Sequence, residues 1–321
     1  MLRLAEVDSP RITGHREILV RIQAAGINPI DGKMRRGGTL HPGRLPAVLG
    51  CDGAGTVEAA GREVERFRVE DDVYFCSGGI GGDPGNYAEF AVVDERFASP
   101  KPRSLTFLEA GAAPLVLITA WEALYDLGEL REGQQVLVHG GAGGVGHVAM
   151  QLARQRGARV CTTVGSEEKA RLVQQWGAEE AILYRERDFV KAALDWTGGR
   201  GVDLALDTVG GQTFFRTFAA VRLYGKLVTL LLPDPEAGDW KEARVRNLRV
   251  GFEWMVAPML QGRAEERARQ ALILDTCGRW FDAGLIKIHV SQSFALGEAV
   301  RAHRVLEEGS VTGKMVLSVG L

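Results

Sequence analysis

Three glycines, Gly141, Gly143 and Gly146, have the spacing that says most about the chemistry of this chain. They follow the apolar run 135–138, which predicts a short buried strand, and they precede residues 147–154, whose apolar positions recur at helical spacing. A strand, a Gly-x-Gly-x-x-Gly turn and a helix form the arrangement that places unpaired N–H groups against a pyrophosphate. A glycine turn with a purely structural purpose is the alternative. The residues expected to bind a dinucleotide are Gly141, Ala142, Gly143, Gly144, Val145 and Gly146.

The end of the next predicted strand, 159–164, distinguishes between the two nicotinamide dinucleotides. An NAD site usually has an acidic residue there that holds the ribose 2′-hydroxyl, but this strand ends on Gly165 and Ser166. Lys169 follows shortly, and Tyr184 ends the third strand. A small strand end with a cation and a hydroxyl nearby suits a 2′-phosphate, so we predict NADP as the cofactor. The alternative is that Ser166 only caps the next helix and Lys169 is solvated.

Composition limits the class of protein. The chain has 321 residues, of which 45% are hydrophobic and 25% charged, and its formal net charge is -2. These values are typical of a soluble globular protein and predict no nucleic-acid partner. No apolar run is long enough to span a membrane, and the N-terminus shows no signal-peptide pattern. The four cysteines are far apart in sequence and form no metal-binding or disulfide pattern, so we expect a cytoplasmic protein.

Two patterns of secondary structure divide the chain. Residues 18–102 are rich in short strand-type runs between glycine and proline turns, whereas the chain from about residue 106 alternates helix and strand. The alternation predicts a doubly wound parallel sheet. Its predicted strands are 135–139, 159–164, 180–184, 202–207, 226–232 and 247–251, and its predicted helices are 144–156, 167–176, 187–196 and 211–221. A helical span, 261–283, then leads to a strand, a helix and a strand that we expect to rejoin the first domain.

The chain resembles the zinc-independent quinone oxidoreductases of the medium-chain dehydrogenase/reductase superfamily. Residues 133–154, which contain the glycine turn, are similar to the family signature at nearly every position. Further similar motifs are 26–31, 50–55, 85–90, 119–121 and 312–315. The resemblance implies an α/β protein with two domains and with the nicotinamide in the cleft between them. These are a GroES-like β-rich catalytic domain, residues 1–105 completed by 284–321, and a Rossmann dinucleotide-binding domain, residues 106–283.

The resemblance also implies roles for individual residues. Asn28 is expected to contact the cofactor and to donate a hydrogen bond to the oxyanion that develops on the substrate, and Asp31 is expected to orient Asn28 or the ribose. Further residues expected to bind the cofactor are Thr119, Asp207, Leu231, Leu232 and Lys314. Two alternatives stay open. Residues 28–31 also form a good helix cap, and Asp207 at a strand end can bond its own loop.

The positions that hold zinc in related alcohol dehydrogenases are altered. Those enzymes have a cysteine at the position of Asn28 and a His-Glu pair at the positions of Cys51 and Asp52. Their lobe of four structural cysteines falls near residues 76–90, where this chain has one cysteine. Catalytic zinc needs about three protein ligands, so we expect no metal. The Cys51 thiol is expected to face the cofactor cleft, and the alternative is that it fills the core.

Without a metal to polarise a ketone, the expected substrates are those that accept hydride readily, namely quinones and α,β-unsaturated carbonyls. The predicted function is therefore an NADPH-dependent quinone oxidoreductase or enone reductase. Related enoyl-thioester reductases have a tyrosine at the position of Thr39, which makes that activity a less favoured alternative. A non-enzymatic NADPH-binding protein is another, because a fold does not determine function. The apolar strand near 247–251 predicts a homodimer paired through the sheet edge.

Overall fold

A computed structural model describes residues 2–309 and 311–320. The chain forms two compact units. The first contains the residues up to Ile118 and from Val256 onward, and the second is Thr119–Met255. No helix in the described part of the chain is long and apolar enough to cross a membrane.

The N-terminal part of the first unit is built on antiparallel strands. Its elements are β1 Glu17–Ile27, α1 Pro29–Gly37, β2 Asp52–Ala60, β3 Asp72–Cys76, β4 Phe90–Asp94, β5 Ala98–Pro100 and α2 Phe107–Ala112, followed by α3 Pro114–Trp121, whose last turn belongs to the second unit. Strand β1 pairs with both β2 and β4, and its side chains alternate between the core and the surface at its start. The core on this sheet includes Ile18, Val20, Ile22, Val57 and Phe75.

The second unit is a six-stranded parallel sheet. Its elements are a π-helical turn at Glu122–Leu127, β6 Gln135–Val138, α4 Gly144–Gln155, β7 Arg159–Val164, α5 Glu167–Gln175, β8 Glu180–Leu183, α6 Phe189–Trp196, β9 Val202–Asp207, α7 Gly211–Thr217, β10 Val221–Thr229, α8 Lys241–Val245 and β11 Arg249–Phe252. The strand order is β11-β10-β9-β6-β7-β8. The doubly wound topology is confirmed, because the order reverses at β6, which lies between β7 and β9.

The C-terminal segment completes the first unit. Its elements are α9 Ala257–Leu260, α10 Ala264–Asp282, β12 Val290–Ala295, α11 Ala299–Glu308 and β13 Lys314–Ser318. Strand β13 pairs antiparallel with β1 and parallel with β12, so that the first sheet has seven strands. The end of the chain therefore lies in the sheet of the first unit.

The boundaries between the two units differ from those expected from the sequence. Residues 106–118 and 256–283 belong to the first unit, not to the parallel sheet. Helix α2 packs on β1 and β2, and Gly111 lies so close that a Cβ there would be 2.8 Å from the Cβ of Ala24. Helix α10 is tied to the first sheet because Tyr74 Oη donates to Leu274 O at 2.6 Å and Ser99 Oγ donates to Ala271 O at 2.7 Å.

Several element ends also differ from the prediction. The helix expected at 211–221 ends at Thr217 and continues as a single 3-10 turn, and β10 begins at Val221 instead of residue 226. Gly225 interrupts the strand pattern within β10, and the register of β10 against β9 shifts between Val221 and Lys226. The irregular pairing explains why the first half of the strand is not visible as a periodic apolar run.

Candidate functional site

The glycine turn between β6 and α4 has the geometry that the sequence predicts. Gly143 is the N-cap of α4, and its N–H donates to Gly140 O at 2.8 Å. A Cβ at Gly146 would lie 2.2 Å from Gly140 O, and one at Gly141 would lie 2.1 Å from Thr162 Oγ1. The turn therefore requires glycine for close backbone packing. It leaves the first N–H groups of a twelve-residue helix at the carboxyl end of the sheet, where a pyrophosphate fits.

The residues expected near a 2′-phosphate lie at neighbouring strand ends of the same sheet. Ser166 is the N-cap of α5, and its Oγ accepts the Lys169 N–H at 3.3 Å. Tyr184 follows β8, and its hydroxyl oxygen would lie 3.0 Å from a Cβ at Gly165. The Tyr184 side chain is 52% exposed, so its hydroxyl is accessible to a ligand. The structure thus brings Gly165, Ser166 and Tyr184 together at one edge, with Lys169 one turn into α5.

Both carboxylate oxygens of Asp207 accept hydrogen bonds from nearby residues of the second unit. Its Oδ1 accepts the N–H groups of Val209 at 3.0 Å and Gly210 at 2.9 Å, and its Oδ2 accepts Thr229 Oγ1 at 2.9 Å. The side chain is fully buried. Asp207 therefore closes the loop after β9, as the alternative interpretation of the sequence has it, and its contact with the cofactor stays a prediction.

The remaining predicted cofactor residues of the second unit differ in exposure. Leu232 is 91% exposed, whereas Leu231 is partly buried beside Gly210, where a Cβ would lie 2.8 Å from Leu231 Cδ1. Thr119 is buried. His139 is a packed core residue, because both ring nitrogens have threonine hydroxyl partners and burial lowers its pKa to about 4.

In the first unit, Asn28 and Asp31 form the predicted helix cap. Asn28 precedes α1, which begins with Pro29, and its backbone N–H donates to Asp31 Oδ2 at 2.8 Å. Proline suits the first position of a helix because its fixed φ is already helical. Both Asn28 and Asp31 are fully buried. Asp31 therefore orients the backbone of Asn28, and the contact of either residue with substrate or cofactor stays a prediction.

The side chain of Asn28 lies between opposite charges. Its Nδ2 donates to Asp52 Oδ2 at 2.8 Å, and its Oδ1 accepts from Lys314 Nζ. Strands β13, β1 and β2 are neighbours in the sheet, and the register that pairs Ile27 with Met315 brings Asn28 and Lys314 together. Since a lysine only donates and a carboxylate only accepts, the two partners fix which end of the amide is oxygen.

Lys314 is held inside the first unit, not free to reach a ligand. Its Nζ also donates to Ile27 O at 3.0 Å and lies 3.7 Å from Asp52 Oδ2, and the side chain is 3% exposed. The second oxygen of Asp52, Oδ1, accepts Leu115 N–H at 2.7 Å. Burial lowers the pKa of Lys314 and raises that of Asp52, while the attraction between them opposes both changes. Lys314 therefore positions the Asn28 amide, and its contact with the cofactor stays a prediction.

Cys51 and Cys76 are far apart in sequence, but the pairing of β2 with β3 brings them close together in the fold. Cys51 is fully buried, and the hydrogen bond with Cys76 together with burial raises its thiol pKa well above the ordinary value. Its thiol therefore fills the core beneath the turn, which was the alternative to an accessible sulfur.

Sequence reasoning missed two contributors to this cluster. Asp52 was noted only as a replaced zinc position, and Tyr87, whose hydroxyl donates to Asp31 Oδ2 at 3.0 Å, was noted only within a motif. A buried acidic residue at a strand end is a signal that a partner is required. The partner itself, Lys314, is 262 positions away from Asp52 and is visible only in the folded sheet.

Comparison with known proteins agrees with the fold. Residues 14–103 match the alcohol dehydrogenase GroES-like domain, and residues 176–317 match a zinc-binding dehydrogenase family. A quinone oxidoreductase of Pseudomonas aeruginosa is 36% identical over 96% of this chain and 93% of its own length. A crystal structure of an alcohol dehydrogenase superfamily protein from Novosphingobium aromaticivorans is 35% identical, with a TM-score of 0.91 over 98% of this chain and 95% of that one.

The Escherichia coli quinone oxidoreductase, whose crystal structure is a complex with NADPH, is 29% identical, with a TM-score of 0.85 over 98% of this chain and 94% of that one. Fold and site together therefore define an oxidoreductase with a GroES-like domain and a Rossmann-type domain. The chain belongs to the quinone oxidoreductase family of the medium-chain dehydrogenase/reductase superfamily.

The zinc in the name of one matching family does not fit the residues present. Residues 2–309 and 311–320 contain no group of three or more His, Cys, Asp or Glu side chains able to hold a metal ion. Asp52 is the one carboxylate at the positions that hold zinc in related alcohol dehydrogenases. It already accepts hydrogen bonds from Asn28 and Leu115, and the Lys314 ammonium lies beside it. A second cation there is opposed by the charge of the first.

We expect Gly146→Ala to disrupt the glycine turn. The new methyl group meets the backbone oxygen of Gly140, which cannot rotate away, so the free energy of unfolding falls by about 1–3 kcal/mol or more. NADPH binding weakens with it. The matched control is Gly251→Ala in β11, where a Cβ is 3.6 Å from the nearest atom. Thermal unfolding midpoints and NADPH titration measure both effects, and a Gly146→Ala protein that matches the control in both would contradict this account.

Proposed function

We propose that this protein is an NADPH-dependent reductase that delivers hydride to a quinone or an α,β-unsaturated carbonyl without a metal ion. The observation that carries the proposal is the combination of the glycine turn before α4 with the Asn28–Asp52–Lys314 cluster. The glycine turn suits a dinucleotide. The cluster has a lysine ammonium where related enzymes have a set of metal ligands. The similarity to named quinone oxidoreductases supports the same reaction.

When bound, the nicotinamide supplies the hydride, and the chain supplies binding and orientation. The N–H groups at the start of α4 receive the pyrophosphate. A quinone or an enone delocalises the charge that hydride addition creates, so that hydrogen-bond donors suffice where a simple ketone needs a Lewis acid. We propose the Asn28 amide as that donor, because Lys314 on its oxygen polarises its N–H bonds.

The first test is a panel of quinones and enones assayed with NADPH in the presence of a metal chelator. We expect NADPH oxidation with at least one acceptor, at the same rate with and without chelator, and no stoichiometric zinc by elemental analysis. Asn28→Ala is expected to lower kcat by about a hundredfold to a thousandfold, since it removes one oxyanion donor. Intact NADPH binding without activity on any acceptor would favour a non-enzymatic binding protein. Loss of activity together with about one zinc per chain would overturn the metal-free mechanism.

The choice of NADPH over NADH depends on the edge formed by Gly165, Ser166 and Tyr184. We expect wild-type protein to bind NADPH more tightly than NADH, and Ser166→Asp to reverse the order, because a carboxylate repels a 2′-phosphate and accepts a ribose hydroxyl. Ser166→Asn is the control of similar size without charge. Fluorescence titration with both cofactors measures the preference, which is contradicted if unmodified protein binds NADH equally well.

Strand β11 ends the parallel sheet and has a partner, β10, on one side in the described chain. Its backbone edge and the exposed Phe252 suit two-fold pairing with the same strand of a second copy, so we propose a homodimer. Val250→Pro, which removes a backbone N–H at the open edge because the Glu253 N–H and every second N–H before it face β10, is expected to give monomers, and Val250→Ala is its control. Light scattering at micromolar concentration that shows a monomeric wild-type protein would refute the dimer.

Four free, buried cysteines are compatible with a reducing compartment. On this ground we propose a cytoplasmic location, although no step of the reaction depends on it.

A further inference from the structure

Three side chains of the first unit form a hydrogen-bonded chain. Tyr87 Oη donates to Asp31 Oδ2 at 3.0 Å, and His303 Nε2 lies 3.4 Å from Tyr87 Oη. The rings of Tyr87 and His303 meet edge to face, with centroids 5.8 Å apart and planes at 83°. The chain connects the start of α1 with the middle of α11.

Each end of this hydrogen-bonded chain of side chains has a polar atom without a partner among the described residues. Asp31 Oδ1 and His303 Nδ1 are buried and make no hydrogen bond within the described residues. Buried polar atoms are normally paired, so an unpaired atom at each end of one chain requires an explanation. Each of the two atoms can hold a proton, and the hydroxyl between them can both give and accept one.

The position of Tyr87 is fixed by its surroundings. Gly50 has φ +94, and a Cβ there would lie 2.3 Å from Tyr87 Cδ1, so that the ring occupies the space of the missing side chain. Asn86, next to Tyr87, donates from Nδ2 to the carbonyl oxygens of Gly50 at 3.2 Å, Cys51 at 2.9 Å and Ser77 at 3.0 Å. These bonds hold the loop that presents Tyr87 to Asp31.

The charged groups around the chain suit proton transfer near neutral pH. Burial raises the pKa of Asp31 to about 7, against the opposing effects of the Asn28 N–H, the Tyr87 hydroxyl and Lys314. The other titratable groups that face Asp31 are Asp52, Cys51 and Cys76. Burial and Arg35 and Arg36 lower the pKa of His303, and Glu307 opposes them. Burial also raises the pKa of the Tyr87 hydroxyl between them well above its usual value, so Tyr87 gives its proton to Asp31 only as it receives one from His303.

We infer that Asp31, Tyr87 and His303 form a proton relay that replaces the proton consumed when the substrate takes up hydride. The inference rests on the proposed function, since reduction of a quinone to a hydroquinone requires one hydride and one proton. Asp31 releases a proton from Oδ1 to the reduced substrate. Tyr87 then transfers its hydroxyl proton to Asp31 Oδ2, and His303 transfers its Nε2 proton to the Tyr87 oxygen.

His303 regains a proton at Nδ1 from water, so one proton enters the chain for each one that leaves it. Rotation of the carboxyl and hydroxyl groups, together with a flip of the His303 ring that turns the protonated nitrogen towards Tyr87, restores the starting arrangement. The entry side lies near the surface, because Glu307 is one helical turn beyond His303 on α11 and its side chain is 30% exposed.

Tyr87→Phe tests the relay, because it keeps the ring on Gly50 and removes only the hydroxyl. We expect kcat to fall by about tenfold or more, with the KM values for NADPH and quinone unchanged. The matched control is Tyr74→Phe, which removes another buried hydroxyl of the same unit that bonds a backbone carbonyl. The control is expected to stay within twofold of wild type. Equal kcat values for the two variants would overturn the relay.

The pH profile separates proton transfer from a structural effect. Wild-type kcat is expected to fall as pH rises through about 7, because Asp31 must be protonated to donate. The Tyr87 hydroxyl lowers the Asp31 pKa, so its removal moves that fall to higher pH, and Asp31→Asn abolishes it. If Tyr87→Phe does not fold, His303→Asn lowers kcat without moving the Asp31 titration. Profiles of Tyr87→Phe and Asp31→Asn identical to that of wild type, or an unchanged kcat in His303→Asn, would contradict the proposal.

Infrared titration of the Asp31 carboxyl needs no substrate and therefore distinguishes failure of the relay from failure of the proposed function. The band of the protonated acid is expected to disappear near pH 7 in wild type and in Tyr74→Phe, and at higher pH in Tyr87→Phe. If the protein is inactive but Tyr87→Phe still moves the Asp31 titration to higher pH, the reductase function is refuted and the relay is not. An Asp31 titration unaffected by Tyr87→Phe would refute the relay.

Discussion

The buried pairing of Asp52 with Lys314 across the Asn28 amide is the interaction on which the first unit depends. It joins the ends of three neighbouring strands, β2, β1 and β13, at a point from which water is excluded. Each charge alone is costly in such a place, and removing one partner of a buried pair typically costs about 3–5 kcal/mol. The backbone groups of Leu115 and Ile27 complete the coordination of the two charges, so the cluster also fixes the start of α3 and the end of β1.

The sequence was sufficient to predict most elements and the glycine turn, because both depend on local spacing. Strand and helix periods located β6 to β9 and α4 to α6 within about two residues at each end. Periodicity does not say which sheet a helix covers, and α2 and α10 were therefore assigned to the wrong unit. The contacts of Asp207 with its own loop and of Lys314 with Asn28 depend on the folded backbone. Residues expected at the cofactor consequently proved to have internal partners.

Glycines allow close packing both at the turn before α4 and at the Asn28–Asp52–Lys314 cluster. In the second unit, Gly146 allows α4 to approach Gly140, and in the first unit Gly26 leaves space for the Asp52 carboxylate, whose Oδ2 would lie 2.7 Å from a Cβ. Neither contact tolerates a side chain, for steric reasons that are independent of φ. Glycine is a weak sequence signal in a chain with 41 of them. At Gly26 and Gly146, however, the lack of a side chain is what the packing requires.

The distance along the chain between Asn28 and Lys314, 286 positions, has a consequence for biosynthesis. At a translation rate of about 5–20 residues per second, β1 and Asp52 leave the ribosome roughly 15–60 s before Lys314 does. The Asp52 carboxylate has no counterion until then. The whole of the second unit, Thr119–Met255, is synthesised in that interval. The nascent first unit meanwhile has one open edge on β1 and a carboxylate without its counterion. The first unit therefore completes its sheet only after β13 has left the ribosome, by which time the whole second unit has been synthesised.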